Sequence, residues 1–311
     1  MKYITVQEAA DKWKISERRV RTLCRNGRIH GVTRMGWVWF IPENAQKPVD
    51  ARTTRHKLLK PKEIRPGNIS FDAIDKKRRQ LDRIRPLPKN TLKALQKHML
   101  LEWTYNSNAI EGSTLTLSET KVVLEGITVG GKTIREHLEV INHKAAILYI
   151  EELVQSGESL TEWNIKSLHR LVLKKIDDKN AGMYRLEYVV ISGAEHRPPV
   201  PVLIKQQMEQ LIEHYNNVWH KLHPVERAVL LHGEFVKIHP FIDGNGRTAR
   251  LLMNFELIKS GFPPAVIKAE KKLEYYEALD LAHTTGKYSR FIKLLSQCVE
   301  QSLHLWLSVS S

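Results

Sequence analysis

The sequence predicts a mainly α protein: an all-helical domain carrying one β-hairpin, with a small helix-turn-helix unit and its hairpin wing in front. Three observations lead there. From about residue 91 onward, segment after segment places apolar residues three and four apart, the period of a helix buried on one face. One stretch, YRLEYVVISGAEHRPPVP, breaks that period with a β-rich run, a glycine and closing prolines. The first forty-odd residues read helix, turn, helix, strand.

Thr5 caps a short helix carrying Ala9 and Ala10, and Ile15 and Ser16 turn the chain into a second helix from about Glu17 to Asn26. Val20 and Leu23 face inward, and Gly27 ends the helix. Gly36, Trp37, Val38, Trp39, Phe40 and Ile41 form a short strand before Pro42. Residues 1–45 therefore have a winged helix-turn-helix layout. Residues 46–90, with Pro48, Pro61, Pro66, Pro86 and Pro88, read as a basic linker with a short helix near 72–84. Residues 91–311 form the main domain. Its helices are expected over TLKALQKHMLLEWTYNSNAIEG, REHLEVINHKAAILYIEELVQSG, TEWNIKSLHRLVLKKI, KQQMEQLIEHYNNVWHKL, PVERAVLLHGEFVKI, TARLLMNFELIKSG and EYYEALDLAHTTG. Between them, the VVI run bends at Gly193 and is read as a hairpin.

Composition excludes several classes. Hydrophobic residues at 42% and charged residues at 27% are those of a globular chain rather than a disordered one. Cys24 and Cys298 belong to no metal or disulfide pattern, which fits a reducing, cytoplasmic location. No run of apolar residues is long enough for a membrane span, and the start MKYITVQEAADKW is too polar for a signal peptide. The net charge of +15 is local: residues 1–90 hold 23 Lys and Arg against 9 Asp and Glu, and the remainder 26 against 25. A basic first third beside a neutral remainder points to a nucleic-acid-facing module joined to a separate functional domain. The second helix carries Arg18, Arg19, Arg21 and Arg25, which suit guanine edges and phosphates in a major groove. EAADKWKIS, RRVRTLCRNGRIHG and GWVWFIP resemble the small excisionase and MerR-like DNA-binding domains.

The stretch KIHPFIDGNGRTAR joins two apolar helices. Gly244 and Gly246 allow the backbone turns that aim N–H groups inward, and the helix that follows adds its positive dipole end, so the loop is an anion nest. Arg247 and Arg250 lie three apart at the start of that helix and can hold different oxygens of one polyphosphate. Asp243 can take Mg²⁺ through one carboxylate plus phosphate oxygens, and His239 stands beside the nest as a neutral base.

HPFIDGNGRTAR resembles the signature of Fic-domain proteins at every position, and GMYRLEYVVISGAEHRPPVP is similar to that family's target-docking flap. The resemblance spans about residues 95–300. It implies an all-helical Fic core with a hairpin flap, moving AMP from ATP to a Ser, Thr or Tyr hydroxyl of a protein, this chain itself included. By that likeness His239 deprotonates the hydroxyl and Asp243 holds Mg²⁺. Gly244, Asn245 and Gly246 stabilise the α-phosphate, Arg247 the β-phosphate and Arg250 the γ-phosphate, while Phe241 packs the loop in place. Val189, Val190 and Ile191 hold an extended target by strand addition.

Upstream, in TYNSNAIEGSTLT, Ser107 and Glu111 are four apart and share a helix face. SNAIEG is similar to the Fic inhibitory motif, on an inhibitory helix expected over about residues 98–112. The resemblance implies that Glu111 pairs with Arg250 and blocks the γ-phosphate, as in the class whose inhibitory helix precedes the core. Two other readings stay open: a DNA-binding regulator whose Fic domain senses nucleotide, and a hydrolase in which Glu111 positions water to remove AMP. A homodimer is the default assembly.

Overall fold

The computed structural model describes residues 3–25, 28–29, 31–35, 38–48 and 69–309. The expected roles of Gly27, Gly36 and Trp37, and most of the basic linker with Pro61 and Pro66, lie outside the described residues. The chain divides into two compact units, Met1–Glu63 and Ile64–Ser311.

In the first unit, strand β1 (Tyr3–Ile4) leads into α1 (Val6–Trp13) and α2 (Glu17–Arg25), followed by β2 (Thr33–Met35) and β3 (Val38–Pro42). Thr5 and Glu8 cap α1 reciprocally, each side chain accepting from the other's backbone N–H. The strands pair antiparallel in the order β1-β3-β2, with Ile4 opposite Ile41 and Thr33 opposite Phe40. Ala9, Val20 and Ile41 are fully buried and fasten both helices to the sheet.

The second unit is helical: α3 (Asp72–Ile84), α4 (Lys89–Ile110), α5 (Leu117–Leu124), α6 (Ile134–Ser156), α7 (Glu162–Leu173), α8 (Pro201–Glu213), α9 (Pro224–Ile238), α10 (Asn245–Lys259), α11 (Lys272–Thr285) and α12 (Ser289–Ser308). Capping boxes start α5, α6 and α7 at Thr116, Thr133 and Thr161, and prolines start α8 and α9. The segment expected as one helix over 205–222 instead begins at Pro201, leaves the α conformation after Glu213 and continues as a π turn and a 3₁₀ turn. Helices α5 and α12 were not among the expected elements. Yet Phe291, Leu295, Cys298, Ser302 and Trp306 of α12 are all buried at helical spacing, so its signal was present.

Helices α9 and α10 form the central pair. Val225, Ala228, Val229, Leu231 and Phe235 of α9 and Ala249, Leu251, Leu252 and Leu257 of α10 are almost wholly buried. Around them pack α4, α6 and α7 on the α10 side and α8, α11 and α12 on the α9 side. A buried pair at the centre holds the short loop between its helices in one geometry. Among the described residues no helix is long and apolar enough to cross a membrane.

The hairpin expected over residues 184–201 is corrected by the structure: no strand ladder forms there among the described residues. Gly193 does turn the chain, with φ of 78° and the Ala194 N–H bonded to Ile191 O. Pro198, Pro199 and Pro201 deprive the second limb of donors. The buried guanidinium of Arg185 bridges the limbs instead, donating to Glu187 O at 2.8 Å and Pro199 O at 2.7 Å.

Candidate active site

The helix α9 ends where His239 takes the left-handed conformation at φ 50°, its N–H bonded to Phe235 O, and Pro240 prevents continuation. A side chain in that region is strained, so neighbours must hold it. Arg185 does so, with Nε donating to His239 O at 2.8 Å and its backbone N–H to Pro240 O at 2.9 Å. Phe241 is fully buried and stacks on His169 at 3.6 Å between ring centroids. Its N–H donates to Asn245 Oδ1 at 3.0 Å, and Asn245 Nδ2 donates to Phe241 O at 2.9 Å. The Asn245 side chain is therefore committed to closing the loop, and only its backbone N–H is left to face an anion.

Gly244 stands at the N-cap of α10 with φ of 75°, and a Cβ there would press on the His169 ring at 3.1 Å. His169 Nε2 donates to Asp243 O at 2.8 Å while its Nδ1 accepts from Gly182 N–H at 2.9 Å. Those two bonds specify one neutral tautomer. Burial, reinforced by the charge of Arg247, lowers the His169 pKa to about 4.

Asp243 Oδ1 accepts from Gly244 N–H at 2.6 Å and faces Arg247 Nη2 at 3.4 Å, while Oδ2 accepts from Arg135 Nη2 at 2.7 Å. Burial raises its pKa, but Arg247, the Gly244 N–H and Arg135 together hold the carboxyl below its ordinary value. Arg247 is buried and lies 3.2 Å from Glu139, yet its Nε and Nη1 make no hydrogen bond.

Arg250 is buried. Its Nε donates to Ser107 Oγ at 3.0 Å, and its Nη2 donates to Ser107 O at 2.9 Å and to Glu111 Oε1 at 2.7 Å. Its Nη1 makes no hydrogen bond. Burial works against its charge, but Glu111 and Tyr275 outweigh it and raise the pKa. Glu111 is the C-cap of α4, and Gly112 turns away at φ 104°. The Glu111 carboxylate also crowds Gly246 so closely that a Cβ at that glycine would collide with it.

His239 is half-buried, and its Nδ1 has no hydrogen-bond partner. Burial, with Arg185 adding to it, lowers its pKa to about 4, so the ring is neutral at pH 7. A neutral imidazole, a helix N-terminus and two buried guanidiniums with N–H groups unspent converge on one loop. Such a constellation accepts a polyanion and a proton.

The structure brings His239, Asp243, Gly244, Asn245, Gly246, Arg247 and Arg250 onto one loop and helix start, with Ser107 and Glu111 bonded to Arg250. Val189, Val190 and Ile191 show no strand pairing, and Val190 is 88% exposed. In the first unit Arg18, Arg19, Arg21 and Arg25 are exposed on α2, and Arg21 pairs with Glu17 at 2.6 Å. Sequence reasoning missed Arg135, Glu139, His169 and Arg185. Arg185 sat visibly before the VVI run, but its 54-residue separation from His239 hid the contact. The other three carried no signal.

A solved structure of a Fic domain containing signaling protein from Bacteroides thetaiotaomicron superposes with a TM-score of 0.71 at 32% identity, covering 77% of this chain and 98% of that one. The chain belongs to the Fic/DOC family. The family profile matches residues 159–257, from the start of α7 almost to the end of α10. Fic-1 from C. elegans also superposes with a TM-score of 0.71, at 29% identity over 83% of this chain and 75% of that one. Two curated relatives are named protein adenylyltransferase Fic. The one from Nematostella vectensis is 39% identical over 271 residues, and the one from Drosophila virilis 38% over 242. The alignments take in 84% and 77% of this chain, which spans 61% and 49% of those relatives' lengths. The loop between α9 and α10 of this mainly helical Fic chain lies inside the matched segment.

Proposed function

We propose that the chain is an autoinhibited protein adenylyltransferase, moving AMP from ATP to a Ser, Thr or Tyr hydroxyl of a protein, and that its N-terminal unit binds DNA. The observation that carries the first part is the neutral His239 at the mouth of a helix N-terminus flanked by two buried arginines with donors to spare. The naming of the curated relatives supports it.

The target hydroxyl oxygen attacks the α-phosphorus and gives its proton to His239, while the bond to the bridging oxygen breaks and pyrophosphate leaves. The N–H groups at the start of α10 stabilise the α-phosphate, Arg247 faces the β-phosphate and Arg250 the γ-phosphate. Asn245 and Phe241 hold the loop rigid through their paired hydrogen bonds. The segment at Val189, Val190 and Ile191 offers backbone to a target segment by strand addition.

Among the described residues no group of three or more His, Cys, Asp or Glu could hold a metal by itself. The single half-exposed carboxylate of Asp243 fits Mg²⁺, which keeps its waters and takes its remaining ligands from phosphates. Bound there, Mg²⁺ would draw off phosphate charge. In the resting chain Glu111 takes the Arg250 donor that the γ-phosphate needs, and its carboxylate stands over Gly246. That contact is the brake.

The same position supports a second reading for Glu111, that of orienting water to remove AMP from a modified protein. The test is transfer from α-labelled ATP with Mg²⁺, comparing the intact chain, Glu111→Gly, and Glu111→Gly with His239→Ala. Label in the single variant that vanishes in the double one is expected; no label in any form, despite ATP binding, sinks the transferase reading. Release of AMP that Glu111→Gly abolishes would favour the hydrolase. For the DNA part, four exposed arginines on α2 predict an affinity that falls steeply with salt and is lost when Arg18, Arg21 and Arg25 become alanine. Binding that ignores both changes refutes it.

A further inference from the structure

Asp243 divides its two oxygens between arginines of opposite character. Oδ1 faces Arg247, whose side chain is 3% exposed, and Oδ2 accepts from Arg135, whose side chain is 57% exposed. Arg247 is locked in the interior beside Glu139. Arg135, on the first turn of α6, reaches over the outer face of the loop from 108 residues away. Exposed ion pairs of that kind are among the weakest in proteins.

Oδ1 is already held by the Gly244 N–H and faces Arg247, which leaves Oδ2 as the oxygen that a divalent cation would use. A guanidinium nitrogen 2.7 Å from that atom stands in the approach path. Keeping both would bring three positive charges to one carboxylate oxygen, and the monovalent, solvent-facing group is the one that yields. It has somewhere to go, because Arg135 Nε already donates to Glu139 at 3.2 Å.

We propose that Arg135 is a resident counterion of Asp243 which the divalent cation must displace, so that this side chain sets how much metal the site requires. The inference rests on the reading of Asp243 as the metal-holding carboxylate. Arg135 is a positioning residue: in the metal-free chain it holds Asp243 in its working rotamer, and in exchange it weakens metal binding.

The test is a Mn²⁺ titration followed by electron paramagnetic resonance of the free ion, with the non-transferable analogue α,β-methylene-ATP present. The full chain carries Glu111→Gly throughout so that the analogue can enter. Arg135→Ala is expected to tighten Mn²⁺ binding roughly three- to tenfold. Arg135→Lys keeps a cation and stays near the parent, and Arg135→Ala gains nothing when Asp243→Asn is also present. Unchanged or weaker Mn²⁺ binding in Arg135→Ala, with binding still dependent on Asp243, overturns this inference and leaves the metal reading standing. Tightening that persists with Asp243→Asn also overturns it. Mn²⁺ binding that ignores Asp243→Asn in every background refutes the metal reading itself. Circular dichroism on each variant confirms the helical fold that the exposure of Arg135 leads one to expect.

Discussion

Glu111 Oε1 accepts a hydrogen bond from Arg250 Nη2 at 2.7 Å, joining the end of α4 to the start of α10 across 139 residues of sequence. The arginine is buried and the carboxylate is 33% exposed at its side chain, so the acid is the partner free to leave. If the pair is the proposed latch, movement of one side chain opens it.

Removing that acid should therefore expose an anion site. Glu111→Gly leaves Arg250 with only Ser107 as partner in that bond set, at a cost of about 1–2 kcal/mol once solvent access to Glu111 is allowed for. ATP should recover that loss. Calorimetry is expected to show a lower melting temperature for Glu111→Gly without nucleotide and a larger rise on adding ATP than the intact chain gives.

On the proposed reading, phosphate takes the space over Gly246 that a Cβ would enter. The glycine's backbone is not in the left-handed region, so alanine adds no strain, but the methyl would occupy the space that Glu111 now fills. In the Glu111→Gly background, Gly246→Ala is expected to weaken binding of a non-transferable ATP analogue by at least about tenfold with an unchanged circular dichroism spectrum. Equal affinities would place the phosphates elsewhere.

The proton acceptor should titrate well below an ordinary histidine. Burial and then Arg185 lower the His239 pKa to about 4, and the base must be neutral to work. In Glu111→Gly, kcat/KM is expected to fall only as pH drops to about 4 or below, because that variant lacks the Glu111 charge that raises the His239 pKa. Arg185→Gln removes the nearby cation and should move that limb up toward the ordinary value of about 6.5, besides lowering kcat through loss of the His239 carbonyl contact. A parent profile already breaking near 6.5 would contradict this.

His169 makes the loop acid-sensitive. Its pKa is about 4 in the fold and about 6.5 in an unfolded chain, so the unfolded state binds more protons between those values. Stability is complete above about 6.5, declines as pH falls toward 4 and has lost its His169 share below that, at most about 3 kcal/mol. His169→Gln keeps a donor for Asp243 O but does not titrate. Its melting temperature should fall less steeply between pH 6.5 and 4 than that of the parent.

How much could be read in advance differs by element. The loop from His239 to Arg250 was legible because its residue types lie within one short stretch, where helix ends and glycines have local consequences. The pairing of Ser107 and Glu111 on one face follows from helical spacing, although spacing alone does not supply Arg250 as their partner. The VVI run misled: β-branched residues favour extended backbone, but a ladder also needs donors on the facing limb, and prolines remove them. Nothing in the sequence showed that the Asn245 amide is turned back onto Phe241.

By itself the sequence determined the helical class, most helix positions and the composition of the loop from His239 to Arg250, all of which depend on periodicity and neighbouring residues. Only the tertiary structure decided that Arg185 holds the carbonyl of His239, that His169 supports the carbonyl of Asp243, and that Arg135 occupies its carboxylate. These side chains come from α6, α7 and the segment before α8. Their meeting depends on how the helices pack around α9 and α10, and packing over such separations leaves no periodic trace in the chain.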